Sequence, residues 1–294
     1  MNDLLVVTIV DACLRGGRGG SPTAVLWDTS LSEAERRRVP QLTESSHAVF
    51  VSSDDDGVSL RFFTATGELA ACGHGTVAAL AFLAEQAGRA EYEVTLRAGG
   101  RSFVGRATDD ALAEFDPGEV RLAARLTEHD AVLDALGHRP DILAADVCLA
   151  SLGQPRLLVP ISSPSALAKL RPDYDRLKAA CDRLGLLGCY VHSPPSAGGR
   201  LAARMFAPSI GVPEDIANAN STACLAARLA QRGTPRISVD MGDSLGRPAT
   251  ITAMSRATRS GIQIRVGGAA KVTRTLRLTP AELTPPGRPS QARA

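Results

Sequence analysis

From residue 76 to residue 85 the chain reads Thr-Val-Ala-Ala-Leu-Ala-Phe-Leu-Ala-Glu, and the helix that this run predicts is apolar on almost every face. A helix lying on a surface keeps one polar face, so this one has to be enclosed by other structure. Short runs rich in β-branched and aromatic residues flank it, at residues 59–64 before it and at 92–97, 102–106 and 112–115 after it. Many strands around one buried helix predict an α+β fold in which a β-barrel-like sheet is wrapped around a central helix. A doubly wound parallel sheet needs helices alternating with strands, and those are missing.

The junction into this helix is Ala71-Cys72-Gly73-His74-Gly75. Glycines at 73 and 75 leave first-turn N–H groups uncovered, and the positive end of the helix dipole adds to them. A buried helix start of this kind suits a carboxylate or phosphate.

The second half repeats the plan. Arg61-Phe62-Phe63 matches Arg204-Met205-Phe206, and Val77-Ala78-Ala79-Leu80-Ala81 matches Thr222-Ala223-Cys224-Leu225-Ala226. Strands are expected at residues 142–149, 156–159, 188–192 and 200–206, ahead of a second Ala-rich helix over 221–231. The repeat implies two pseudo-symmetric domains, residues 1–118 and 119–261, with a strand over 262–278 returning to the first and a disordered tail over 279–294. Their helix starts would face one cleft. Elsewhere, Ser30-Leu31-Ser32-Glu33 reads as a capping box opening a short helix that Pro40 stops. The glycine-dense loop 16–22 lacks the Gly-Lys-Ser/Thr of a phosphate-binding loop and runs into a strand.

Composition narrows the function. Thirty-three basic and 31 acidic residues are interspersed, and aromatics make up 4% of the chain, which argues against nucleic acid. No apolar run reaches membrane-spanning length and the first residues lack a signal-peptide pattern, so the expectation is a cytoplasmic protein. Six cysteines stand singly, which indicates neither a disulfide framework nor a metal site.

These pieces resemble the PhzF-like (phenazine biosynthesis) family of the diaminopimelate epimerase-type fold. The resemblance rests on Val10-Asp11-Ala12, Gly20-Ser21-Pro22-Thr23-Ala24-Val25, Leu60 to Thr64 with Cys72-Gly73-His74-Gly75, Arg204 to Pro208, Glu214-Asp215, and Gly242 with Gly246-Arg247-Pro248. It implies a cofactor-independent isomerase of secondary metabolism. Such an enzyme holds a small carboxylate-bearing substrate between two domains and is often a homodimer. Members carry a carboxylate base before a Phe-Val pair. Aligned on Phe50-Val51, this chain has His47 there, with Glu44 one helical turn earlier. The early Gly-Asn-Pro has become Gly20-Ser21-Pro22, and the loop after Asp215 reads Ile216-Ala217-Asn218-Ala219-Asn220.

The candidate acid/base residues are therefore His47, Glu44 and Asp215. A histidine has an ordinary pKa near 6.5 and can take a proton and return it elsewhere. Ser21, Cys72, Gly73, His74, Gly75, Asn218, Asn220, Ser221 and Arg247 are expected to bind substrate. An alternative is an epimerase or racemase using Cys72 at the helix start. It lacks a second cysteine at the matching place, because Cys224 falls inside the second helix. A further alternative is a non-catalytic binding scaffold.

Overall fold

The computed structural model describes residues 4–108, 110–123, 129–137, 147–259 and 261–284. Helix Gly73–Ala87 is buried from Gly73 through Leu80 and again at Phe82 and Leu83. Its apolar side chains meet strands from both ends of the chain in one large core that also takes in helix Ala219–Ala230. Burying a Val, Leu or Phe side chain stabilises by about 1.5–3 kcal/mol, so this helix is held by its enclosure rather than by propensity.

Around the two helices runs a mixed sheet that forms a barrel. Most neighbours are antiparallel, but Ser21–Trp27 pairs in parallel with His47–Asp54, and Gln154–Pro160 with Cys189–His192. The long strand Gly261–Leu278 runs antiparallel to Leu5–Leu14 along its length and also pairs with Leu112–Phe115. Two smaller cores lie outside the barrel. One gathers Leu157, Val159, Leu177 and Phe206, and the other gathers Val7, Leu26, Phe50 and Phe63 against helix Glu33–Leu42.

Several elements depart from the expectations. Both central helices start earlier than the glycines and asparagines suggest, because Cys72 and Asn218 cap them. Gly73 is the first residue of its helix, and a Cβ there would stand 2.7 Å from that of Ala219, so the two helix starts touch and position 73 has room only for glycine. The capping box is Ser32 with Glu35, not Ser30 with Glu33, and Pro40 lies inside that helix rather than ending it. Residues Pro280–Leu283 form a helical turn with Leu283 buried, so the tail is ordered that far. Residues 285–294, and 142–146 of the expected strand over 142–149, lie outside the described residues.

Candidate active site

Strand alternation places the first group. Along His47–Asp54, Val49 and Val51 face the large core while Ala48 and Phe50 face the outer one. His47 shares the inner face with Val49 and Val51, two residues apart each time. Across from it, His74 sits in the first turn of the helix capped by Cys72. The rings meet nearly edge to face, and His47 Nδ1 lies 2.9 Å from His74 Nε2.

One hydrogen bond fixes the tautomer. His74 Nδ1 is 2.7 Å from the Ala217 carbonyl, which can only accept, so Nδ1–H donates. His74 Nε2 and His47 Nδ1 therefore share a single proton. The Cys72 sulfur lies 3.5 Å from the same Nε2 and also accepts from Gly75 N–H. Asp215, buried beside the ring, places a carboxylate oxygen 3.9 Å from His74 Nδ1 and accepts from Asn218 Nδ2 at 2.9 Å.

The two imidazoles are tuned apart. Burial, with His74 beside it, holds His47 well below its ordinary pKa. Burial pushes His74 the same way, but the Cys72 sulfur and Asp215, with the hydrogen bonds to Cys72 and Ala217, outweigh it and raise His74 to about 9. At neutral pH the proton between the rings rests on His74, whose imidazolium faces Asp215.

These side chains line a cavity of about 430 Å³, the size that takes a small metabolite. Its wall includes His47, Cys72, Gly73, His74, Asp215, Asn218 and Asn220 from among the expected residues. Five other expected residues do not line this wall. Glu44 is exposed on a turn outside this wall, with a left-handed φ of 54°. Arg247 donates to Asp11 and to the Gly20 carbonyl, so its charge is spent on holding a turn. Gly75 packs among Cys72, Phe62 and Val49 rather than offering its N–H to a ligand. Ser21 bonds Ser46, and Ser221 bonds Arg156; both lie behind the cavity wall.

Arg156 was not anticipated. It lines the cavity at 2% exposure, donating to Ser221 Oγ at 3.2 Å and to the Gln154 carbonyl at 3.0 Å, while its Nε–H has no acceptor among the described residues. The sequence carries no period-two signal here, because Leu157-Leu158-Val159 is apolar throughout. Only the structure separates the strand's faces: Leu157 and Val159 pack in the outer core and Leu158 in the large one, so Arg156, on the Leu158 face, is a charge on a core-facing position.

The single-residue spacing of cysteines and histidines also concealed a donor cluster. One ligand atom each from His47, Cys72 and His74 lies within 4.8 Å of the others, the nitrogen and sulfur set that zinc accepts. The imidazole nitrogens are at hydrogen-bond distance, closer than the roughly 3.3 Å they take on a tetrahedral zinc. As placed, the two rings share a proton.

A barrel thus encloses two capped helices, and a histidine pair lines the cavity at their starts. The chain belongs to the phenazine biosynthesis-like (PhzC-PhzF) family, whose sequence profile matches residues 10–275. It is an enzyme of the isomerase type, as its relatives are. An uncharacterized isomerase of Deinococcus radiodurans is 30% identical over 279 residues, covering 88% of this chain and 89% of the relative. The trans-2,3-dihydro-3-hydroxyanthranilate isomerase of Pseudomonas chlororaphis is 27% identical over 263 residues, covering 83% and 88%. A Bacillus anthracis PhzF-family crystal structure superposes with a TM-score of 0.81 at 16% identity, covering 94% of this chain and 99% of that one, and bears on the fold alone.

Proposed function

We propose that the chain is a cofactor-independent isomerase that moves a proton between two positions of a small carboxylate-bearing, amino-acid-derived substrate. The observation that carries this reading is the 2.9 Å contact between His47 Nδ1 and His74 Nε2, with His74 Nδ1 tied to the Ala217 carbonyl.

With the pair protonated, His47 carries its hydrogen on Nε2. His47 Nε2–H protonates one substrate carbon, and the His74 Nε2 proton passes to His47 Nδ1. The pair is then neutral and His47 Nε2 is bare. That nitrogen takes a proton from a second substrate carbon, His47 Nδ1–H returns its proton to His74, and the enzyme is restored. Every step is a proton transfer that these side chains supply themselves, so the proposed reaction is written without a cofactor. Asp215 holds the imidazolium in the loaded state, and the helix starts steady negative charge on the substrate.

A racemase built on two cysteines fits less well, because Cys224 is fully buried within its helix and forms no part of the cavity wall.

The test is proton exchange in D2O, followed by NMR, on a panel of small amino- and hydroxy-carboxylates beginning with trans-2,3-dihydro-3-hydroxyanthranilate. Deuterium incorporation by the wild type that falls about a thousandfold in His47→Ala is expected. Exchange by neither protein across the panel, or equal exchange by both, overturns the reading.

A further inference from the structure

Three arginines among the described residues are buried: Arg36, Arg156 and Arg204. Arg36 is paired with Asp28 at 2.6 Å and donates to the Thr29 and Leu31 carbonyls. Arg204 grips Glu214 with two contacts of 2.8 Å and donates to the Leu167 and Leu170 carbonyls. Arg156, the most buried of the three, has a hydroxyl, a carbonyl and an Nε–H without an acceptor.

A guanidinium stays protonated even in an apolar setting, and a buried charge without a counter-charge is destabilising. Arg156 carries a second disadvantage. Ser221, which it contacts, lies in the first turn of helix Ala219–Ala230, so its positive charge stands against the positive end of that helix dipole. The Ser221 hydroxyl gives its own hydrogen toward the Met205 sulfur, so it serves Arg156 only as a neutral acceptor. Both disadvantages vanish if an anion in the cavity lies against the guanidinium and the helix start together. Arg156 lines the cavity together with Asn218 and Asn220, and the same cavity holds the histidine pair.

We infer that Arg156 and the start of helix Ala219–Ala230 form the seat for the substrate's carboxylate. This assignment rests on the proton-transfer reading of the cavity and adds to it. The substrate is anchored by its acid group on the second-half side, with its reacting carbons turned toward His47. A planar carboxylate matches the fork of a guanidinium better than a neutral amide does. Asn220 and the helix-start N–H groups would complete the shell.

The experiment is binding, read by calorimetry, with anthranilate, its neutral isostere 2-aminobenzamide, and inorganic phosphate as probes. Anthranilate is expected to bind the wild type at least tenfold more tightly than either of the others. Arg156→Gln is expected to close the gap between acid and amide to under twofold, and Arg156→Lys to restore part of it. Unliganded Arg156→Met is expected to melt at or above the wild-type temperature, because it removes an unpaired charge, whereas Arg204→Met melts lower. That thermal comparison stands even if the glutamine variant folds poorly. Three results overturn the inference: undiminished anthranilate binding by Arg156→Gln, phosphate binding as tight as anthranilate, or a lower melting temperature for unliganded Arg156→Met. The binding readouts require no turnover. Selective binding without deuterium exchange would leave the carboxylate seat in place and remove the proton-transfer reading instead.

Discussion

The two helix starts that meet at the cavity are capped differently and equipped differently. At Gly73–Ala87 the cap is the Cys72 sulfur, and the neighbouring side chains are His47, His74 and Cys72, all of which can gain or lose a proton. At Ala219–Ala230 the cap is the Asn218 amide, and the neighbouring side chains are Asn218, Asn220, Ser221 and Arg156, whose charge states are fixed. Asp215 and the Ala217 carbonyl come from the second side but reach across to His74. The contrast suggests a division of labour in which one helix start moves protons and the other holds charge still. A chain with titratable groups on both sides would be built for two-base inversion. Under the proposed function, this one takes and returns a proton on one face.

The largest effect that can break this contrast comes from the proton-moving side. His47→Ala is expected to lower kcat about a thousandfold, in line with the usual contribution of a general acid–base, while leaving KM within a few fold. On the other side the pattern should reverse, with Arg156→Gln raising KM some ten- to a hundredfold and changing kcat much less. Steady-state kinetics of the two variants on one substrate checks the division directly. Matching losses of kcat in both would show that the sides are not separate.

A smaller effect separates the histidine pair from a cysteine base. The pair must be loaded before it donates, and His74 holds its proton up to a pKa of about 9. The rate should therefore be level through neutral pH and fall about tenfold per unit above roughly pH 9. The Cys72 sulfur helps to raise His74, so Cys72→Ala removes an upward influence and should move the fall to lower pH. At pH 6 the Cys72→Ala variant should retain activity within a few fold of the wild type. A racemase base at Cys72 would instead be silenced at every pH, so a pH–rate profile of this variant decides between them.

How much of this was legible in the residues depends on the range of the forces concerned. The enclosed helix and its surrounding strands followed from a local pattern, since a helix apolar on all sides has only one kind of environment. The offset from Phe50-Val51 singled out His47 beside Glu44, and the strand register accounts for where His47 lies, because it pairs opposite Thr23 and shares a face with Val49. The partner of His47 was not legible as a partner. Residues 47, 74 and 217 reach one another from a strand, a helix and a loop that no local pattern connects. Arg247 was singled out and Arg156 overlooked for a related reason. Arg247 sits in a conspicuous glycine-rich turn, but Asp11 of the opening strand neutralises it. Arg156 sits in a strand whose run Leu157-Leu158-Val159 is apolar on both faces, so no alternation marks where Arg156 points.

The smallest expected effect concerns Glu44, and it sharpens the comparison by showing where the proton-moving side ends. Glu44 follows helix Glu33–Leu42, three residues before His47, and its backbone takes a left-handed φ of 54°. That conformation reverses the chain so that the strand can begin at His47 with its ring turned inward, and it leaves the Glu44 side chain exposed. A non-glycine residue there carries a strain of about 1 kcal/mol or more. Glycine removes the strain but costs about 0.5–1 kcal/mol through the greater freedom of the unfolded chain. Glu44→Gly should therefore be as stable as the wild type or a few tenths of a kcal/mol more so, by denaturant titration, with kcat within twofold. A carboxylate base at this position would instead cost orders of magnitude in kcat on the same substitution. A large loss in a folded Glu44→Gly would thus move the proton chemistry from the buried ring at 47 to the turn that positions it.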